Sequence, residues 1–94
     1  LNTQDNDGAT ALIWAVSQQQ PETAEQLIIG GADVNLADID GVTPLMEAAR
    51  LGDETTVELL LKYGARKTDT DSEGHDAAYF AKKKQRQKVL TLLK

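Results

Sequence analysis

Apolar residues recur at helical intervals inside short windows of this chain. Val57, Leu60 and Leu61 stand at i, i+3 and i+4, and Ala24, Leu27 and Ile28 repeat that stripe one period earlier. Each window predicts a helix with one face to bury. Ahead of the Val57 stripe lies a second apolar block, Leu45-Met46-Glu47-Ala48-Ala49, opened by Thr43-Pro44. A threonine hydroxyl can accept from the first-turn amides, and the fixed φ of proline suits the first helical position, where no amide hydrogen is needed. The block therefore predicts an inner helix starting at Pro44. Gly31 and Gly64 follow the outer stripes, where a left-handed residue stops a helix. Between the helix pairs lie Asp5-Asn6-Asp7-Gly8, Asp38-Ile39-Asp40-Gly41 and Asp71-Ser72-Glu73-Gly74, which predict tight turns with acidic tips.

The pattern has a fixed period. Gly8, Gly41 and Gly74 are 33 residues apart, as are Ala15, Ala48 and Ala81, and Asp5, Asp38 and Asp71. Residues 1–33 laid on 34–66 give 12 identities. Three units follow: 1–37, a first repeat without its N-terminal neighbour; 38–70, a central repeat; and 71–94. In the third unit Asp76 replaces threonine, Lys82 an apolar or small residue, and Gln85 the glycine at 52. A polar, lysine-rich outer face suits a terminal repeat that must meet water, so 71–94 is expected to be a C-terminal cap. No such face protects the other end, where Leu1-Asn2 aligns with Val34-Asn35. The chain is expected to be a piece of a longer protein with further repeats upstream, leaving one face of residues 10–29 open.

Asp40-Gly41-Val42-Thr43-Pro44-Leu45-Met46-Glu47-Ala48-Ala49, the run Val57 to Ala65, and Gly31-Ala32-Asp33-Val34-Asn35 together resemble the ankyrin consensus over essentially the whole chain. The resemblance implies an all-α solenoid of stacked helix-turn-helix repeats with β-hairpin fingers. The histidine usual after Thr-Pro-Leu is replaced by Ile13, Met46 and Tyr79.

Composition narrows the function. The net charge of −5 is unevenly spread: residues 1–61 hold 11 acids against Arg50 alone, and residues 62–94 hold nine bases against four acids. An acidic body repels phosphate backbones, so nucleic-acid binding is not expected. No apolar run reaches the roughly 20 residues of a membrane span. The absence of cysteine excludes disulfides and thiolate metal sites and fits an intracellular protein, cytoplasmic or nuclear.

Catalytic chemistry finds no constellation. His75 is the sole histidine, and neither Ser17 nor Ser72 has a base at a spacing that suggests a nucleophile pair. Asp69-Thr70-Asp71-Ser72-Glu73-Gly74 opens like a calcium loop, but the bidentate glutamate required at the twelfth place is Phe80. No enzyme activity, cofactor or metal is expected. The basic run Lys82 to Lys88 reads as the solvated face of a capping helix pair, with an import signal or anionic-surface patch as the alternative.

In ankyrin proteins fingers and inner helices form a concave binding face. The matching positions here are Asp7, Ala9, Trp14, Ser17, Gln18, Ile39, Asp40, Val42, Glu47, Arg50, Leu51, Glu73, His75, Phe80 and Lys83. Trp14, Glu47 and Phe80 share one column, and a large amphipathic ring such as Trp14 either packs between repeats or anchors a partner. Ile39 and Val42 add apolar residues expected at a solvent-exposed tip. The expectation is a protein-interaction module whose partner protein or peptide carries basic and apolar residues. Alternatives are a methyl-lysine or histone-tail reader, since Trp14 and Glu47 look like parts of the cage in the ankyrin repeats of certain histone methyltransferases, and a regulatory or targeting domain of a larger enzyme or channel. Such a cage needs two or more rings, and only Trp14 is in reach. Leu27 with Asp33-Val34-Asn35, the asparagine eight residues after the leucine, resembles the pattern read by asparaginyl hydroxylases in animal cells, which makes Asn35 a modification candidate.

Overall fold

The computed structural model describes residues 2–94; the expected match of Leu1 to Val34 lies outside the described residues. Six helices run in chain order: α1 Ala11–Ser17, α2 Pro21–Ile29, α3 Pro44–Leu51, α4 Glu54–Lys62, α5 Ala77–Lys83 and α6 Gln87–Leu92. The inner row α1, α3, α5 packs neighbour on neighbour, the outer row α2, α4, α6 does the same, and each inner helix packs on the outer helix that follows it. The repeats thus form two parallel layers with the core between them.

Local signals start each inner helix. The hydroxyls of Thr10 and Thr43 accept from Ile13 N (3.2 Å) and Met46 N (3.3 Å). Asp76, a departure in the sequence, keeps the same job, its carboxylate accepting from Tyr79 N at 2.9 Å. A shorter polar side chain is replaced by a charged one without loss of the cap. The outer helices end as expected: Gly31 (φ 111) and Gly64 (φ 96) are left-handed, and the next amide reaches back to Leu27 O and Leu60 O at 2.9 Å. The inner helices end the same way, at Gln19 (φ 55), Gly52 (φ 72) and Gln85 (φ 58), one 33-residue column in which only one member is glycine. Arg86 lies over Gly52 so closely that a Cβ there would meet its Cδ at 2.6 Å.

Leu12, Val16, Leu45, Met46, Val57, Leu60 and Val89 are all at most 1% exposed, and Ala15, Ala48 and Ala81 bring the inner helices together. Leu60, at 0%, is interior as its position in the stripe predicts.

The expected β-hairpins are absent: the described residues contain no strand. Each finger closes on one backbone pair instead, Asp5 N to Ala9 O, Asp38 N to Val42 O and Asp71 N to His75 O, at 2.9–3.0 Å. The aspartate carboxylate takes the two next inward amides, as in Asp38 Oδ1 with Asp40 N and Val42 N at 2.9 Å. A side chain that satisfies those donors removes the need for a second rung, so no ladder extends. Asp5, Asp38 and Asp71 are therefore the internal staples of the turns, while Asp7, Asp40 and Glu73 form the exposed tips.

Candidate functional site

The fingers stack on each other through their backbones. Ile39 N donates to Asp7 O and Ser72 N to Asp40 O, both at 2.9 Å. Contact is close enough that a Cβ on Gly8 would collide with Ile39 N, and one on Gly41 would meet Ser72 N at 2.9 Å. With each finger pinned to its neighbour, the side chains of Asp7, Asp40 and Glu73 make a row of three exposed acids, one per repeat.

Two large apolar side chains of the fingers and inner helices stand clear of the core. Ile39 is 71% exposed at the second tip, and Trp14 is 62% exposed on α1. Trp14 is covered by no other described repeat. It joins Ala11, Ala15, Gln18, Gln20, Thr23 and Leu27 around a groove of about 540 Å³ between α1 and α2. The equivalents of Ala11, Thr23 and Leu27 are covered: Pro44 and Ala77, Thr56 and Val89, Leu60 and Leu93 are all buried. The groove is thus the face that the preceding helix pair covers in the two later repeats.

The structure corrects one expected position, Val42, and adds detail at Glu47 and Phe80. Val42 is not an exposed tip; it is the base of the second finger and packs partly buried against the core. Glu47 is not a free acid, because Arg50 one turn later donates Nε and Nη2 to its two oxygens at 2.9 and 2.8 Å. That bond, more than the attraction between the charges, holds the Arg50 guanidinium above its ordinary pKa. Phe80 is partly buried against the core, unlike its column mate Trp14. Of the other candidates, Gln18 and Lys83 are exposed, and Ala9, Ser17 and Leu51 half-buried.

His75 sits in an aromatic stack that the sequence reading missed. Its ring lies 3.7 Å from the ring of Tyr79 and nearly parallel, and Phe80 meets both edge-on. His75 precedes the Asp76 cap and Phe80 is the fourth helical residue, the spacing of a staple that fixes how the chain enters a helix, and that spacing was visible in the sequence. Lys83 Nζ lies 5.8 Å from the centre of the Tyr79 ring.

Asp71, Glu73 and His75 each bring one ligating atom within 4.8 Å of the others. Asp71 Oδ1 is already taken by the amides of Glu73 and His75 at 2.9 Å, and these bonds, the His75 amide first, hold its carboxyl below the ordinary aspartate range. Asp5 and Asp38 build the same turn with no histidine beside them, so the convergence follows from the finger itself. Asn35 bridges loops, its Nδ2 donating to Gly64 O at 3.2 Å and its Oδ1 accepting from Arg66 N at 2.9 Å. Trp14 has no aromatic neighbour among the ring contacts of the described residues, which leaves a methyl-lysine cage without its second wall. No helix of the described residues is long and apolar enough to cross a membrane.

A family model described as ankyrin repeats, three copies, matches residues 19–94. An ankyrin repeat domain-containing protein, SAT10, of Stachybotrys chartarum is 40% identical over 79 residues, 83% of this chain and 4% of that protein. A putative ankyrin repeat-containing protein of Treponema pallidum is 41% identical over 78 residues, 82% of the chain and 26% of its own length. Palmitoyltransferase AKR1 of Saccharomyces cerevisiae is 33% identical over 76 residues, 78% of the chain and 10% of its own length. The chain thus spans about a quarter or less of the length of each of these relatives.

Proposed function

The chain belongs to the ankyrin-repeat family, whose repeats generally serve protein interaction, and we propose that it is a non-enzymatic docking module binding a partner protein or peptide through fingers and inner helices. One observation carries this reading: the two most exposed large apolar residues of the inner helices and fingers, Trp14 and Ile39, stand on the same elements as a row of exposed acids. Contiguous exposed apolar surface rimmed by polar residues marks interaction sites. The partner presents basic groups to Asp7 and Asp40 and an apolar group to Trp14 or Ile39. Because the fingers and inner helices are pinned before binding, little ordering cost is incurred.

In this reading residues 71–94 present a polar end, since a lysine, Lys82, stands in the column where Val16 and Ala49 are buried. The groove at the opposite end, lined by side-chain types that are interior elsewhere, suits the helices of a further repeat on its N-terminal side. Palmitoyltransferase AKR1 and the human 2-5A-dependent ribonuclease carry matching regions, and a place as the docking part of a larger protein is compatible with the same surface.

The test compares Trp14→Ala with Glu58→Ala, a change on the exposed side of α4, in proteins shown to unfold at the same denaturant concentration. Trp14→Ala should weaken binding by about 2 kcal/mol or more, Glu58→Ala should leave it almost unchanged, and affinity should fall as salt rises. A larger loss with Glu58→Ala would place the partner on the outer helices instead.

A further inference from the structure

The charge of the stack changes sign along its axis. Residues 1–37 carry five acids and no base, 38–70 seven acids and four bases, and 71–94 three acids and six bases, giving −5, −3 and +3. Pairing within the chain sharpens this on the binding side. One column of the inner helices runs Ser17, Arg50, Lys83: the first is neutral, the second is neutralised by Glu47 at 2.8 Å, and the third is exposed. Among the described residues Lys82, Lys83, Lys84, Arg86 and Lys88 are all exposed and enter no ion pair. Among the described residues Asp7 and Asp40, on the first and second fingers, also form no ion pair. Glu73 keeps the third fingertip acidic, so the cationic character of that repeat lies on its helix side.

We infer that the surface recognises a bipolar extended segment, cationic and apolar where it passes Asp7, Trp14 and Asp40, and anionic where it reaches Lys83. This rests on the docking surface proposed above and adds the charge order of what docks there. Neighbouring inner helices lie roughly 10 Å apart, so the first and third columns are about 20 Å apart. An extended chain advances 3.3–3.6 Å per residue, which puts the partner's carboxylate about six residues from its first cation. A uniformly basic partner would satisfy the first two fingers and meet repulsion at Lys83. A uniformly acidic one would fail at Asp7 and Asp40. Opposed charges of this kind set orientation and association rate more than final affinity.

The experiment is selection from a display library of random twelve-residue peptides, using the whole chain and its Lys83→Glu, Asp40→Lys and Trp14→Ala variants after each is shown to be folded. The expected clones carry Lys or Arg in one half and Asp or Glu in the other, about six residues apart. For such a clone, Lys83→Glu should lower affinity about five- to tenfold at low ionic strength and shift a fresh selection toward uniformly basic peptides. Uniformly basic clones from the unaltered chain, or clones indifferent to Lys83→Glu, overturn the bipolar order while leaving the docking surface standing. No enrichment, enrichment unaffected by Trp14→Ala and Asp40→Lys, or self-association of the chain in place of peptide capture overturns both.

Discussion

The first and third repeats fold by the same rules and differ in what they leave open. In the first, Ala11, Thr23 and Leu27 are exposed or half-exposed, although their equivalents two repeats later, Ala77, Val89 and Leu93, are buried. In the third, the column that buries Val16 and Ala49 holds exposed Lys82. One end keeps interior chemistry on an open face; the other has exchanged it for charge. Burial in this fold belongs to the neighbour as much as to the residue. A leucine is core only where another repeat lies against it, and each repeat contacts only its neighbours.

The largest expected effect follows directly. Leu60→Ala, at 0% exposure in the central repeat, should cost roughly 2–5 kcal/mol, whereas Leu27→Ala, the same residue one repeat earlier with no helices over it, should cost distinctly less. Denaturant unfolding of both variants measures this. Equal losses would show that the end face is as well packed as the centre and would break the comparison.

The fingers give a second, smaller contrast. Gly41→Ala forces a Cβ to within 2.9 Å of Ser72 N in addition to its left-handed φ, whereas Gly74→Ala meets nothing within 4 Å. Both should lose roughly 1–2 kcal/mol to the left-handed backbone, and Gly41→Ala more, because its neighbour is backbone and cannot swing away. If the two unfold alike, finger stacking contributes nothing at that joint.

Smallest is a gain. Gln85 is left-handed (φ 58) where the central repeat has Gly52, so Gln85→Gly should raise stability by about 0.5–1 kcal/mol. A loss would mean the glutamine side chain contributes more than its backbone strain costs.

Much of this arrangement was legible in the sequence because it rests on local rules repeated every 33 residues. Thr43-Pro44 marked a helix start, the Val57 stripe marked a buried face, and Gly31 and Gly64 marked helix ends. What escaped depended on contacts between side chains or on φ angles that the residue type does not announce. Glu47 counts as an acid in a list of charges and becomes neutralised once Arg50 turns back one helical turn. Val42 next to Gly41 reads as a fingertip until the Asp38 carboxylate folds the loop and sets it at the base. The hairpin strands failed for the same reason, since that carboxylate takes the donors a second rung would use. Gln19 and Gln85 were unreadable because glutamine is an uncommon choice for a left-handed position.

In the proposed binding mode a partner lies along fingers and inner helices. Its most direct test is the backbone amide NMR footprint of a peptide selected on the folded chain. The account predicts that the shifted amides cluster at residues 5–9, 13–18, 38–42 and 72–83, with α2 and α4 unchanged. Shifts centred on Glu22, Glu25, Glu54 and Glu58 of the outer helices would contradict it.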